Sequence, residues 1–115
     1  MAQLSPETSH HIVLIKTQCL FIINLATQSE WKLFNSFGEI EETLVVLSEL
    51  KTVGDEAVDA FSRLSSLQLK VASTQPEISP ALAKLVIQSK DRIEIRISAW
   101  QRSIEEILTE WRLSS

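Results

Sequence analysis

Residues 25–38, Leu-Ala-Thr-Gln-Ser-Glu-Trp-Lys-Leu-Phe-Asn-Ser-Phe-Gly, decide how many helices this chain makes. Thr27-Gln28-Ser29-Glu30 has the form of a capping box, in which the Thr27 hydroxyl accepts the Glu30 amide and the Glu30 side chain returns to the Thr27 amide. On that reading one helix ends near residue 27 and another begins near 29. Gly38 then falls inside the second helix, at a cost of about 1 kcal/mol relative to Ala. Trp31 opens that helix.

The first helix is expected over about 6–27. Ser5 offers a cap to the free amides of the first turn, and Pro6 at the first helical position loses no hydrogen bond. Ile12, Ile15, Cys19, Ile22 or Ile23, and Ala26 recur at steps of three and four and share a face. The second helix, about 29–51, carries Leu33, Phe37, Ile40, Leu44 and Leu47 as a heptad-like stripe, flanked by Trp31, Phe34 and Val45. "TVGDEA" (52–57) reads as a stop and a new start capped by Asp55. A third helix then spans about 55–72 with Val58, Phe61, Leu64, Leu67 or Leu69, and Val71. "STQPEISP" (73–80) is a loop, and Ser79-Pro80 repeats the Ser5-Pro6 opening. From there a long helix keeps a period near 3.6 through Leu82, Leu85 or Val86, Ser89, Ile93, Ile97, Trp100, Ile104, Ile107 or Leu108, and Trp111.

No segment alternates like an antiparallel strand. The chain has 2 Gly, 3 Pro and no Tyr, so helix breakers and hairpin formers are scarce. With 115 residues, 44% hydrophobic and 23% charged, it is one folded domain over 1–115. The expected fold is all-α, an antiparallel bundle of about four helices with a long C-terminal helix.

A net charge of -4 gives no long-range attraction to nucleic acid or anionic lipid. The basic residues Lys84, Lys90, Arg92, Arg96 and Arg102 are interleaved with acids and accompany no DNA-binding motif, so nucleic acid is not an expected partner. In the most apolar run, 12–26, Lys16, Thr17, Gln18 and Asn24 interrupt the roughly 18 apolar residues a membrane span needs. The first residues lack the basic region of a signal peptide. A single Cys19 in an apolar run reads as a buried thiol, and the cytoplasm is the simplest address.

Catalytic chemistry is not expected. His10 and His11 are adjacent and diverge by about 100° on a helix, so they cannot act as an i, i+4 metal pair. Glu39, Glu41 and Glu42, like Glu105, Glu106 and Glu110, read as solvated faces. Lys90 with Glu94 and Arg102 with Glu106 read as i, i+4 helix-supporting pairs. No phosphate loop or nucleophile elbow is present, and no cofactor or metal is called for.

Apolar contact remains. Trp31, Trp100 and Trp111 must be core or partner surface. Ile87 and Ile95, eight residues apart and read as nearly one line, widen the apolar face of the last helix. Either that helix is central to the bundle, or part of its face is a docking groove. Leu69, Ile87, Ile95 and Trp111 are the candidate contact residues.

Leu25, Ala26, Glu30, Trp31 and Phe34, following "LIKTQCLFIIN", resemble the N-terminal half of the FliT family of flagellar export chaperones. "IEETLVVLSEL" (40–50) is similar to that family's second helix, and residues 82–108 to its long later helix. The resemblance covers about residues 12–50 and 80–110 and consists of helix lengths, a Glu-Trp pair and apolar spacing. It implies that Trp31 packs over the end of the first helix and fixes the turn. It also implies a cytoplasmic chaperone that binds the C-terminal helical part of the filament cap protein, prevents early assembly and delivers it to the export gate or its secretion ATPase. The candidate helix 55–72 departs from the family pattern. A terminal helix that regulates partner access in enterobacterial members has no counterpart here, so regulation by such a lid is not expected. Two other readings are a general interaction module, dimeric through the last helix, and a regulator of a transcription factor or secretion ATPase.

Overall fold

Ser5 and Pro6 open the first helix as their chemistry dictates. The Ser5 hydroxyl accepts from the Thr8 amide at 3.1 Å, and Pro6 takes a first-turn position that needs no donor. The computed structural model describes residues 4–113, and in it this helix runs unbroken to Phe37 (α1, Pro6–Phe37).

The break expected at 27–30 does not form. A capping threonine must leave the helical backbone region for its oxygen to reach amides further on. Thr27 stays helical instead, and its hydroxyl turns back to the carbonyls of Ile23 at 3.0 Å and Asn24 at 3.1 Å. Ser29 donates in the same way to Leu25 at 2.7 Å. Trp31 therefore lies in the body of α1, 65% exposed, and fixes no turn.

Gly38 is the break. Its φ of 72° and ψ of -166° lie in a region essentially reserved for glycine, and its N–H closes α1 on the Phe34 carbonyl at 2.7 Å. The second helix follows after two residues (α2, Glu41–Ala72). Ile40, at its N-cap, has no side-chain acceptor. Thr43 supplies the tie from inside the helix: its hydroxyl accepts the Ile40 N–H at 2.9 Å and donates to the Gly38 carbonyl at 2.7 Å. The stripe Leu33, Phe37, Ile40, Leu44 and Leu47 is thus divided between two helices.

The second expected break, at 52–57, is absent too. Gly54 is buried inside α2, and a Cβ placed there would stand 3.6 Å from the Ala26 Cβ, so two small residues mark a close crossing of α1 and α2. The segments read as separate helices over 29–51 and 55–72 correspond to the end of α1 and one 32-residue α2. Among the described residues the bundle has three helices, not about four.

The loop at 73–79 and the Ser79-Pro80 start are as expected. Ser79 accepts from the Leu82 amide at 3.1 Å, and the last helix runs to Glu110 (α3, Pro80–Glu110). Short connections force an up-down-up order, and the whole is a rod of 56 × 19 × 17 Å. The all-α class holds.

The core is one continuous seam along the rod. Ile12, Ile15, Cys19, Ile22, Ala26 and Leu33 of α1 meet Leu50, Ala57 and Leu64 of α2 and Val86, Ile93, Trp100 and Ile104 of α3. Polar ties hold α3 against α2. Glu56 accepts the Trp100 indole N–H at 2.8 Å and pairs with Arg96, while Arg63 donates to Ser89 at 3.2 Å. By length and composition alone α1 could cross a membrane, contrary to the reading of 12–26 as too interrupted, but its inner face forms the core described here.

Candidate helix-docking groove

The four residues expected to form a contact surface do not come together. Leu69 lies near the end of α2, 28 residues from its start, so at 1.5 Å per residue it is about 42 Å along the rod from the turn at Gly38. Trp111 lies at that turn, its ring edge-on to Phe37 with centroids 5.0 Å apart. Ile87 and Ile95 do not form a line, because eight residues carry a helix about 80° past two full turns. Ile95 is 73% exposed, and its neighbours one turn away are Asp91, Arg92, Ser98 and Ala99. The wide apolar face expected on the last helix is a narrow buried stripe with isolated apolar residues outside it.

The expected ion pairs are also rearranged. Lys90 is almost buried; its ammonium reaches Asp91 Oδ1 at 2.7 Å and His11 Nδ1 at 3.2 Å. His11 Nε2 lies 2.8 Å from Glu94, and a ring that donates from Nε2 and accepts at Nδ1 satisfies both neighbours. The network joins α1 to α3. Lys90–Glu94 and Arg102–Glu106 are not ion pairs among the described residues, nor do three potential metal ligands converge there.

The apolar surplus lies elsewhere, on the side of α1 and α2 away from α3. Phe34 stands about 140° around α1 from His11, which touches α3, and Lys51 stands about 140° around α2 from Glu56, which does the same. Between those far faces runs a groove. Its upper part, about 530 Å³, is floored by Trp31, Phe34, Leu44 and Leu47 and rimmed by Glu30, Glu39 and Lys51. A second hollow, sharing Thr27, Glu30 and Lys51 with the first, continues it past Gly54 to Val58.

Trp31, Phe34 and Leu44 are each at least half exposed. Two aromatic side chains and a leucine thus stand exposed together at one end of the α1–α2 pair. From Leu44 to Val58 the groove follows α2 for about 21 Å, four turns of an added helix. A helix laid along it would pack on α1 and α2 on the side opposite α3.

The rim is acidic. Among the residues that line the two hollows, Glu30, Glu39 and Asp55 stand against one cation, Lys51, which is 4.0 Å from Asp55. The Glu30 carboxyl titrates above its ordinary range because burial penalises its charge; Lys51 opposes that effect and Asp55 adds to it.

Sequence reasoning missed this groove because it ended a helix at 27. Once Trp31 and Phe34 are placed in one helix with Ala26 and Leu33, they fall outside the core stripe, and that displacement is the signal the sequence carried. Comparison with known proteins finds no matching family model, no matching curated protein and no matching solved structure.

Proposed function

We propose that this chain is a carrier that takes an amphipathic helix of a client protein into the groove between α1 and α2. The observation that carries the reading is the open groove between α1 and α2, floored by Trp31, Phe34, Leu44 and Leu47. Helix-in-groove binding needs apolar anchors at steps of three and four on the incoming helix and no cofactor. Three helices supply a groove of that length, and a client helix supplies the missing side of the bundle.

The resemblance to the FliT family gives the client a class. It is the C-terminal helical part of the filament cap protein, held in the cytoplasm against early assembly and passed to the export gate. Covering an apolar helical end is what such a client requires before secretion.

Size-exclusion chromatography with light scattering, on this protein alone and mixed with the filament cap protein of the same organism, tests the reading. A stable complex is expected, and Leu44→Asp should abolish it while leaving the helical circular dichroism intact. Absence of a complex at tens of micromolar sinks the flagellar client. A complex indifferent to Leu44→Asp sinks the groove.

A further inference from the structure

We infer that the helix this groove accepts is basic along its flank, with Lys or Arg placed over Glu30 and Glu39 while its apolar face sits on Trp31, Phe34, Leu44 and Leu47. The inference rests on the helix-binding reading and adds the charge of the partner to it.

The groove's charges are distributed to favour such a partner. Its two hollows are rimmed by three carboxylates, Glu30, Glu39 and Asp55, against one ammonium, Lys51. Lys51 lies 4.0 Å from Asp55 and also acts on Glu30, so one ammonium is shared among the carboxylates and the rim stays net negative. Glu30 lies on α1 one turn from Phe34, and Glu39 lies in the turn at the upper end of the groove, so the two bracket the aromatic floor.

A docked helix would strip water from Glu30 further, and an acidic or neutral flank would leave that carboxylate desolvated with only the shared Lys51 to offset its charge. A basic flank supplies the counter-charge and a charge-assisted hydrogen bond. The same arrangement discriminates against an acidic helix by like-charge repulsion, the repulsive element that gives a hydrophobic groove its selectivity. It also disfavours a second copy of this chain, whose net charge is -4.

Three fluorescein-labelled helical peptides of about 14 residues test this. They share one apolar face of Leu at three- and four-residue steps and differ only in flanking Lys, Gln or Glu. Fluorescence anisotropy against the full chain should show the Lys peptide binding about fivefold tighter than the Gln peptide, and the Glu peptide weakest. The difference should collapse near 1 M salt, where the screening length falls to about 3 Å. The Glu30→Gln, Glu39→Gln double variant should bind the Lys and Gln peptides alike.

Equal binding of all three peptides by the unaltered protein overturns the charge inference and leaves the helix-binding reading standing. A Lys preference that persists in the double variant overturns the assignment to Glu30 and Glu39. No binding by any peptide at millimolar concentration, or a self-dimer that the peptides do not enter, overturns both.

Discussion

Gly54 of α2 lies against Ala26 of α1 so closely that a methyl group on Gly54 would stand 3.6 Å from the Ala26 Cβ. That distance is ordinary van der Waals contact. Gly54→Ala should therefore fit and stabilise the protein, since Ala is favoured over Gly in a helix interior by about 1 kcal/mol. A rise of roughly 4–8 °C in the thermal midpoint is expected. Gly54→Leu should instead force the two helices apart and cost about 1–3 kcal/mol. A lower midpoint for the alanine variant would mean that the crossing is tighter than described.

Gly38 makes the opposite case. Nothing within 4 Å would obstruct a Cβ there, yet its backbone has φ +72°. Gly38→Ala should cost about 1–3 kcal/mol in urea denaturation through backbone strain alone. An unchanged midpoint would place the turn elsewhere.

The rim carboxylate Glu30 makes stability depend on pH. Burial raises its folded pKa above the ordinary glutamate value, so between those two values the folded chain binds more protons than the unfolded one. Its contribution to stability consequently falls as pH rises through that window and stays unfavourable above it. Glu30→Gln should raise the midpoint at pH 7, and the gain should vanish below about pH 4. A gain of equal size at pH 3 and pH 7 would show that charge is not the cause.

Burial pushes the Cys19 thiol up to about 11, and the side chain is fully enclosed between the helices. The thiolate is the reactive form, so at pH 8 a disulfide reagent should label the native protein only at the rate of its opening. Full labelling within the mixing time is expected in denaturant. Rapid labelling without denaturant would contradict the enclosed position.

Ile95 and Ile104 should separate surface from core on a single helix. Ile95→Asp replaces a side chain that is 73% exposed, and a change within about 0.5 kcal/mol is expected. Ile104 is fully buried, and Ile104→Ala should cost about 2–5 kcal/mol. A large loss at Ile95 in calorimetry would show that a partner covers it.

The sequence by itself determined the all-helical class, the two Ser-Pro helix starts at 5–6 and 79–80, and the inward-facing positions Ile12, Ile15, Cys19 and Ala26. Those features are local. A cap needs only the next three residues, proline fixes its own backbone, and the period of apolar residues follows from the turn of one helix. The number of helices was not local. Thr27-x-x-Glu30 has the residues of a cap, but continuing α1 lets Ala26 meet Gly54 and places Ser29 and Leu33 in the core, which outweighs a capping interaction worth about 1 kcal/mol. The same crossing keeps Gly54 inside α2, and Gly38, whose backbone conformation few other residues tolerate, takes the turn. Once α1 extends to Phe37, Trp31 and Phe34 face away from α3, and the groove exists because three helices cover only one side of the α1–α2 pair. Which apolar residues remain uncovered depends on the packing of whole helices against one another, and only the tertiary structure decides it.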